Sequence, residues 1–369
     1  SAYYLQQAGI SYRVVDSAQE IASTWNSLYP SLRLNTSRFF SHLPGRRFPL
    51  RYGMFATGKQ YHRYLVEYVR DHGFNIHLGV AVYAVEPEGE GWRVETDEGA
   101  CWYPAVISAT GRFGKPFQPV FLGEETFSGR ILHAKDYLGP EPFAGQRVMV
   151  VGNGPSGVDI ATELSFHAQP PVLLSQRTGV VLRPRYPWGL PKHLWMIITE
   201  KLPGFIGQPL MRRISNLQYR NLDRVGIKVP RSEDETSAAG GTRGGELIRA
   251  VKAGRVRSVD GPECFAGEEV VLTDGSRYAL DAVILATGYH PVCWDYLKID
   301  AGRDRYGWPA RLDDLDEGGM RQVAGYPGLY LVGVFYQGKG AMYNFNTEAA
   351  QAVREIQERL RAMAVSERG

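Results

Sequence analysis

Residues 146–157, QRVMVVGNGPSG, read as a short apolar strand running into a glycine turn, Gly152-x-Gly154-x-x-Gly157. A helical pattern follows over 158–167, then a second buried strand over 171–175. Strand, glycine turn, helix and strand in that order make the βαβ unit that receives a dinucleotide. Each glycine has its own duty. Gly152 permits the tight turn, Gly154 lets the backbone approach a pyrophosphate, and Gly157 lets the helix pack on the sheet. Pro155 and Ser156, between the last two glycines, join them as cofactor-binding candidates, and the N-terminus of the helix that follows faces the phosphates.

Working outward, the chain repeats itself. Residues 90–111, EGWRVETDEGACWYPAVISATG, match residues 268–288, EEVVLTDGSRYALDAVILATG. Each is a hairpin closed at an Asp-Glu-Gly or Asp-Gly turn, then a buried strand ending in Ala-Thr-Gly. Upstream, 61–73 and 246–254 read as helical, while 74–85 and 255–259 read as extended. Thr110 and Gly111 therefore stand in the first copy where Thr287 and Gly288 stand in the second. The expected fold class is α/β. Two Rossmann-like dinucleotide-binding domains each carry a parallel sheet and a small β-meander. The second (139–281) is inserted into the first (1–138 with 282–369). The first copy opens at Ser1 inside a helix. Its own first strand and glycine turn, about a dozen residues in a βαβ unit, are expected to be missing upstream.

Composition narrows the chemistry. Of 369 residues, 44% are hydrophobic and 22% charged, which excludes disorder as the main state. With 42 Lys+Arg against 39 Asp+Glu, the charge makes no case for nucleic acid. Cys101, Cys264 and Cys293 lie far apart, with no CxxC and no zinc spacing, so dithiol redox chemistry and a metal site are not expected. No apolar run reaches the roughly 18–20 residues that span a bilayer, and no basic-then-apolar leader is seen. A cytoplasmic protein is the expectation.

The strand ends select the cofactors. About 20 residues beyond the first glycine an NAD site carries an acid for the ribose. Here the strand ends Ser175-Gln176-Arg177, without an acid, and Arg177 suits a 2′-phosphate. NADPH is favoured, with NADH the alternative donor. The matching strand in the first copy ends Val14-Val15-Asp16, and that acid suits the unphosphorylated ribose of FAD. Near the C-terminus, 328–333 is another apolar strand ending in Gly333. After it comes MYNFNTEAAQAVREIQERL, where Asn346 or Thr347 is expected to cap a helix with Glu348 in its first turn. The positive end of that helix would face the flavin.

Two further motifs carry a family resemblance. Residues 127–137, FSGRILHAKDY, match FxGxxxHxxx(Y/F/W), and residues 285–289, LATGY, match (F/L)ATGY. With the glycine turn between them, the chain resembles class B flavin-containing monooxygenases, the relatives of Baeyer–Villiger monooxygenases. The resemblance implies FAD and NADPH as cofactors. It also implies oxygen transfer from O2, through a flavin C4a-(hydro)peroxide, to a soft sulfur or nitrogen nucleophile or a ketone. It makes Asn35, in LRLNTSRFFSHLP (32–44), a catalytic candidate that supports the oxygenated intermediate. His133 is the second catalytic candidate, with the family role of coupling the interdomain linker to nucleotide binding. Trp25 matches the tryptophan of GGxW, with Ala22-Ser23 in place of the glycines, and Tyr289 closes the ATGY motif.

Two other readings stay open at this point: a flavin reductase or oxidase without oxygen transfer, and a non-enzymatic nucleotide sensor. Residues 180–230 are the least like a nucleotide domain. Their aromatics (Tyr186, Trp188, Trp195, Phe205) suit a packed helical subdomain, a substrate entrance or a membrane surface. The expected partners are a small organic substrate and O2, with no nucleic acid, in a monomer or homodimer.

Overall fold

The structure, a computed structural model, describes residues 1–176, 179, 192–217, 222–229, 242, 245–304, 307–311, 321–334 and 340–366. It divides into two compact units. One comprises Ser1–Ser27, Arg38–Lys115 and Tyr289–Gly369, and the other Leu28–Ser37 and Pro116–Gly288. They are called the discontinuous and the nested unit.

The discontinuous unit begins with α1 (Ala2–Gln7), β1 (Val14–Asp16), α2 (Ser23–Asn26), α3 (Gly58–His72) and β2 (Ile76–Leu78). It continues through the meander β3 (Val82–Glu88), β4 (Gly91–Thr96) and β5 (Gly99–Tyr103) to β6 (Val106–Ser108). The chain leaves through β7 (Lys115–Pro116). β1 pairs in parallel with β2, and the meander is antiparallel throughout. α3 starts on a capping box, in which Thr57 and Gln60 satisfy each other's backbone N–H groups. It stops at Gly73, whose φ of 59° is the left-handed cap.

The nested unit holds β8 (Arg130–His133), β9 (Arg147–Val151), α4 (Pro155–Leu164), β10 (Gln169–Ser175), α5 (Lys192–Glu200), α6 (Gly204–Leu217) and α7 (Gly245–Lys252). After them come β11 (Val256–Val259), β12 (Pro262–Ala266), β13 (Glu269–Leu272), β14 (Arg277–Ala279) and β15 (Ala282–Leu285). Five strands form one sheet in the order β11-β10-β9-β15-β8, and every pairing in it is parallel. Successive residues point to opposite faces, and both faces are covered. Val148, Val150, Val172, Leu174, Ala282 and Ile284 enter one core with α4 and α7. Met149, Val151, Leu173, Val283 and Leu285 enter the other with the β12–β14 meander. That two-sided burial is why these strands read as unbroken apolar runs.

The remaining discontinuous-unit elements are β16 (Tyr289–His290), α8 (Cys293–Tyr296), β17 (Leu329–Leu331) and α9 (Ala341–Ser366). β17 pairs in parallel with β6, and α9 covers Tyr330 and Val332 through Ala349, Ala352 and Ile356.

The nested unit is wider than the 139–281 expected from sequence. β8 and β15 both belong to its sheet, so its core reaches from residue 116 to residue 288. A strand's sequence shows that it is buried, not which neighbour it pairs with.

One ion pair ties this sheet at its lower edge. Asp281 accepts from the backbone N–H and guanidinium of Arg147 at 2.8, 3.1 and 2.6 Å. These bonds hold its carboxyl at about 2. A carboxyl lowered on folding stabilises above its unfolded value of about 4 and loses that contribution as pH falls toward 2. Thermal melts of the wild type and Asp281→Asn should therefore differ at neutral pH and converge in acid. A constant gap down to the acid limit would remove the pair from the account. Both side chains are more than a third exposed, so solvent screening keeps the gap small.

Candidate cofactor sites

In the nested unit the chain leaves β9 at Gly152 with φ 110°. A Cβ there would lie 2.4 Å from the carbonyl oxygen of Ala286, the residue that follows β15. A Cβ on Gly157 would lie 1.8 Å from the Gly152 oxygen. Both positions are closed by backbone. Gly154 is different. Its φ of −70° suits any residue, and a Cβ would meet nothing within 4 Å. The protein's own packing gives no reason for glycine at 154. A ligand approaching the turn does. Pro155 fills the first helical position and no side chain caps α4, so the first-turn N–H groups, Ser156 and Gly157 among them, face the open side.

The two family motifs converge on one carbonyl. Gly288 oxygen accepts from His133 Nε2 at 3.1 Å and from Phe117 N–H at 2.9 Å. His133 Nδ1 accepts from Lys135 N–H at 3.1 Å, which places the ring proton on Nε2. The ring is buried, and burial holds its pKa below the usual value. Both nitrogens thus serve the backbone. Thr287 Oγ1 donates to Phe117 oxygen. The rest of the 127–137 motif is also accounted for. Phe127 sits edge-on to Phe265. Gly129 leaves room for Asp281 oxygen, 2.7 Å from a notional Cβ. Buried Tyr137 donates to Glu163 at 2.8 Å.

Gln176 follows β10 directly and is 1% exposed. Its Oε1 accepts from Lys228 N–H at 3.1 Å, while its buried Nε2 has no hydrogen-bond partner. Sequence reasoning passed over Gln176 for its neighbour Arg177, which lies outside the described residues. Asn35, in Leu28–Ser37, has a buried Oδ1 with no partner.

In the discontinuous unit, Asp16 ends β1 and accepts from Ala18 N–H at 2.9 Å. Trp25 packs edge-on against buried Tyr61, 4.6 Å between ring centres. Tyr289 meets Phe113 at 5.5 Å. The glycine turns after β6 and β17 adjoin. A Cβ on Gly333 would lie 3.8 Å from Gly111 Cα, and both glycines have positive φ, 68° and 92°. Thr110 Oγ1 is 3.3 Å from Tyr296 OH.

The capping expectation for the last helix is corrected. α9 starts at Ala341, so Asn346 and Thr347 lie inside it. Asn346 Nδ2 donates to His42 oxygen at 3.0 Å, and Thr347 Oγ1 bonds back to Tyr343 oxygen. Glu348, expected in the first turn, is instead buried in the second. It accepts from Gly333 N–H at 2.7 Å, with Arg321 and Arg311 at 3.7 and 4.0 Å.

These features fit two dinucleotides. The nested turn is closed by backbone at Gly152 and Gly157 and open at Gly154, a shape that suits a phosphate. Two parallel strands of the discontinuous unit end in adjoining glycines, with an acid ending a third. Among the described residues no cluster suits a metal ion. Such a chain is a flavoprotein oxidoreductase of the two-dinucleotide type.

Comparison with known proteins specifies the type. Residues 7–299 match the family model described as flavin-binding monooxygenase-like, and the chain belongs to that family. An indole-3-pyruvate monooxygenase of Oryza sativa subsp. japonica (YUCCA1) is 29% identical over 314 residues, 82% of this chain and 76% of that protein. A CzcO-like uncharacterized oxidoreductase of Geobacillus kaustophilus is 27% identical, over 91% of this chain and 87% of that one. The solved flavin-containing monooxygenase of Stenotrophomonas maltophilia superposes with TM-score 0.70 at 25% identity, covering 97% of this chain and 94% of that one. A cyclohexanone monooxygenase from Rhodococcus sp. Phi1 shares the fold at TM-score 0.65 and 17% identity, over 98% and 82%. The chain is an enzyme of the flavin-dependent monooxygenase class, whose cofactors are FAD and NADPH.

Proposed function

We propose that this chain transfers one atom of O2 to a small organic molecule bearing a soft sulfur or nitrogen centre or a carbonyl. The observation that carries the reading is the nested glycine turn, closed by backbone at Gly152 and Gly157 and open at Gly154. That is the shape of a turn made to receive a phosphate. FAD, when bound, supplies hydride acceptance and oxygen activation; the chain supplies binding, orientation and electrostatics. Asp16 holds the flavin-side ribose, and Gly111 and Gly333 let that dinucleotide approach the ends of β6 and β17. Thr110, Trp25, Tyr289 and Asn346 stand around it. Gly152, Gly154, Pro155, Ser156 and Gly157 cradle the NADPH pyrophosphate, and Arg177 reads its 2′-phosphate. Asn35 presents an amide to the oxygen being transferred. His133 is a positioning residue, because it fixes the Gly288 carbonyl and has no nitrogen left for proton transfer to substrate. Thr287 fixes the same strand end.

The rice relative is named for indole-3-pyruvate, a 2-oxo acid, so 2-oxo acids and ketones head the substrate class, beside sulfides and amines. The protein works in the cytoplasm as a monomer or homodimer. Turnover under ¹⁸O2 with NADPH tests the reading. One labelled atom should enter product for each NADPH consumed. Labelled hydrogen peroxide with no labelled product across the substrate panel would instead make the protein an oxidase.

A further inference from the structure

α5 and α6 form a helical hairpin in the nested unit that the proposed chemistry does not use. The helices meet at Gly207, where a Cβ would stand 2.2 Å from Thr199 oxygen. Ile214, buried on the same face of α6, lies two turns further on. Gly207 and Ile214 define the inward side. At about 100° per residue, the opposite side carries Phe205, Pro209 and Arg212, with Ile206 and Arg213 on its flank. Phe205 is 80% exposed and Ile206 45%. Ile198, at 46%, and Leu202, at 37%, extend the apolar tip across the turn. Lys201, Arg212 and Arg213 are exposed beside it. Residues 192–217 contain four Lys or Arg (Lys192, Lys201, Arg212, Arg213) and one acid, Glu200.

We infer that this hairpin seats the protein on an anionic lipid surface. Exposed apolar side chains at the hairpin tip, with Lys201 beside them and Arg212 and Arg213 two turns behind, suit an anionic membrane interface. An interfacial helix buries its apolar face about 5–10 Å into the headgroup boundary. At 1.5 Å per residue, Arg212 stands about 10 Å along α6 from Phe205, within side-chain reach of lipid phosphates when the tip is seated. No helix among the described residues is long and apolar enough to cross a membrane, so the attachment is peripheral. A second copy of the chain is the poorer occupant. A two-fold contact places the same patch on both sides, and Arg212 and Arg213 would meet a hairpin whose sequence holds one acid, Glu200.

The test is co-sedimentation of the full-length FAD-loaded chain with vesicles, which needs no turnover. Binding is expected to equimolar phosphatidylglycerol and phosphatidylcholine, not to phosphatidylcholine alone, and to fall with added salt. Arg212→Gln and Arg213→Gln should each weaken partition about fivefold. Phe205→Glu with Ile206→Glu should abolish it. Unchanged melting temperature and flavin content in each variant confirm the fold. Wild-type protein that ignores anionic vesicles, or variants that bind as well as wild type, would overturn the inference. So would light scattering that shows a wild-type dimer dissolved by Phe205→Glu, which would give the face to a second copy.

Discussion

Gly157→Ala is expected to destabilise the nested unit strongly, while Gly154→Ala leaves it standing and weakens its hold on NADPH. The added methyl at 157 lands 1.8 Å from the backbone oxygen of Gly152. No side chain can move aside there, so α4 must shift off β9. Overpacking of this kind costs on the order of 3 kcal/mol or more, a fall of roughly 6–12 °C in the melting transition of a unit this size. At 154 the methyl points into open space and the backbone angles suit alanine. Stability should change by less than about 1 kcal/mol, with the weaker helix cap offset by the stiffer unfolded chain. NADPH affinity should fall about 10–100-fold, the loss of one or two hydrogen bonds to a charged phosphate. Differential scanning calorimetry and fluorescence titration with NADPH measure the two effects separately. Equal melting losses in both variants, or full NADPH affinity in Gly154→Ala, would remove the argument that residue 154 is shaped by its ligand.

The same contrast shows what the sequence could convey. The nested strands were legible because burial on both faces writes itself as runs such as VMVV and AVIL, bounded by glycine or Asp-Gly turns. The Ala-Thr-Gly twins were legible because each follows a short apolar strand, β6 or β15. Pairing was not. Nothing in the local pattern of Arg130–His133 says that it adds to β15, and the domain boundary moved by more than twenty residues in consequence. Helix capping misled at 346–348. Asn-Thr-Glu is a plausible helix start taken alone, but each side chain is spent elsewhere: on His42, on Tyr343 and on Gly333. His133 is marked by its motif, but its hydrogen bond to Gly288, 155 positions away, is not written in the local sequence. Gln176 could have been found by asking which residue, not which charge, ends β10.

The largest loss of stability in the discontinuous unit is expected from Glu348. Its carboxylate side chain is 0% exposed, and Arg311 and Arg321 are each 8% exposed, at 4.0 and 3.7 Å from the same oxygen. Bringing three charges out of water is costly, and their mutual attraction offsets part of that cost. Removing Glu348 takes away the carboxylate that both buried guanidiniums face at 3.7 and 4.0 Å. Glu348→Ala should therefore cost about 3–5 kcal/mol. The Gly333 N–H, now accepted by Glu348 Oε2 at 2.7 Å, would also lose its acceptor. Glu348→Gln keeps an acceptor for Gly333 but not the charge, and should fall between alanine and wild type. Urea unfolding followed by near-ultraviolet circular dichroism gives the order directly. The double variant Glu348→Ala/Arg321→Ala should be more stable than Glu348→Ala alone, because it removes one of the two guanidiniums that faced the lost carboxylate. If the carboxylate mattered only as the acceptor for Gly333, the glutamine variant would match wild type and Arg321→Ala would give no rescue. Flavin content separates stability from cofactor binding. In the glutamine variant, folded at low temperature, Gly333 is still held and FAD should remain bound. In the alanine variant the turn after β17 is released, and FAD should be lost before the unit unfolds.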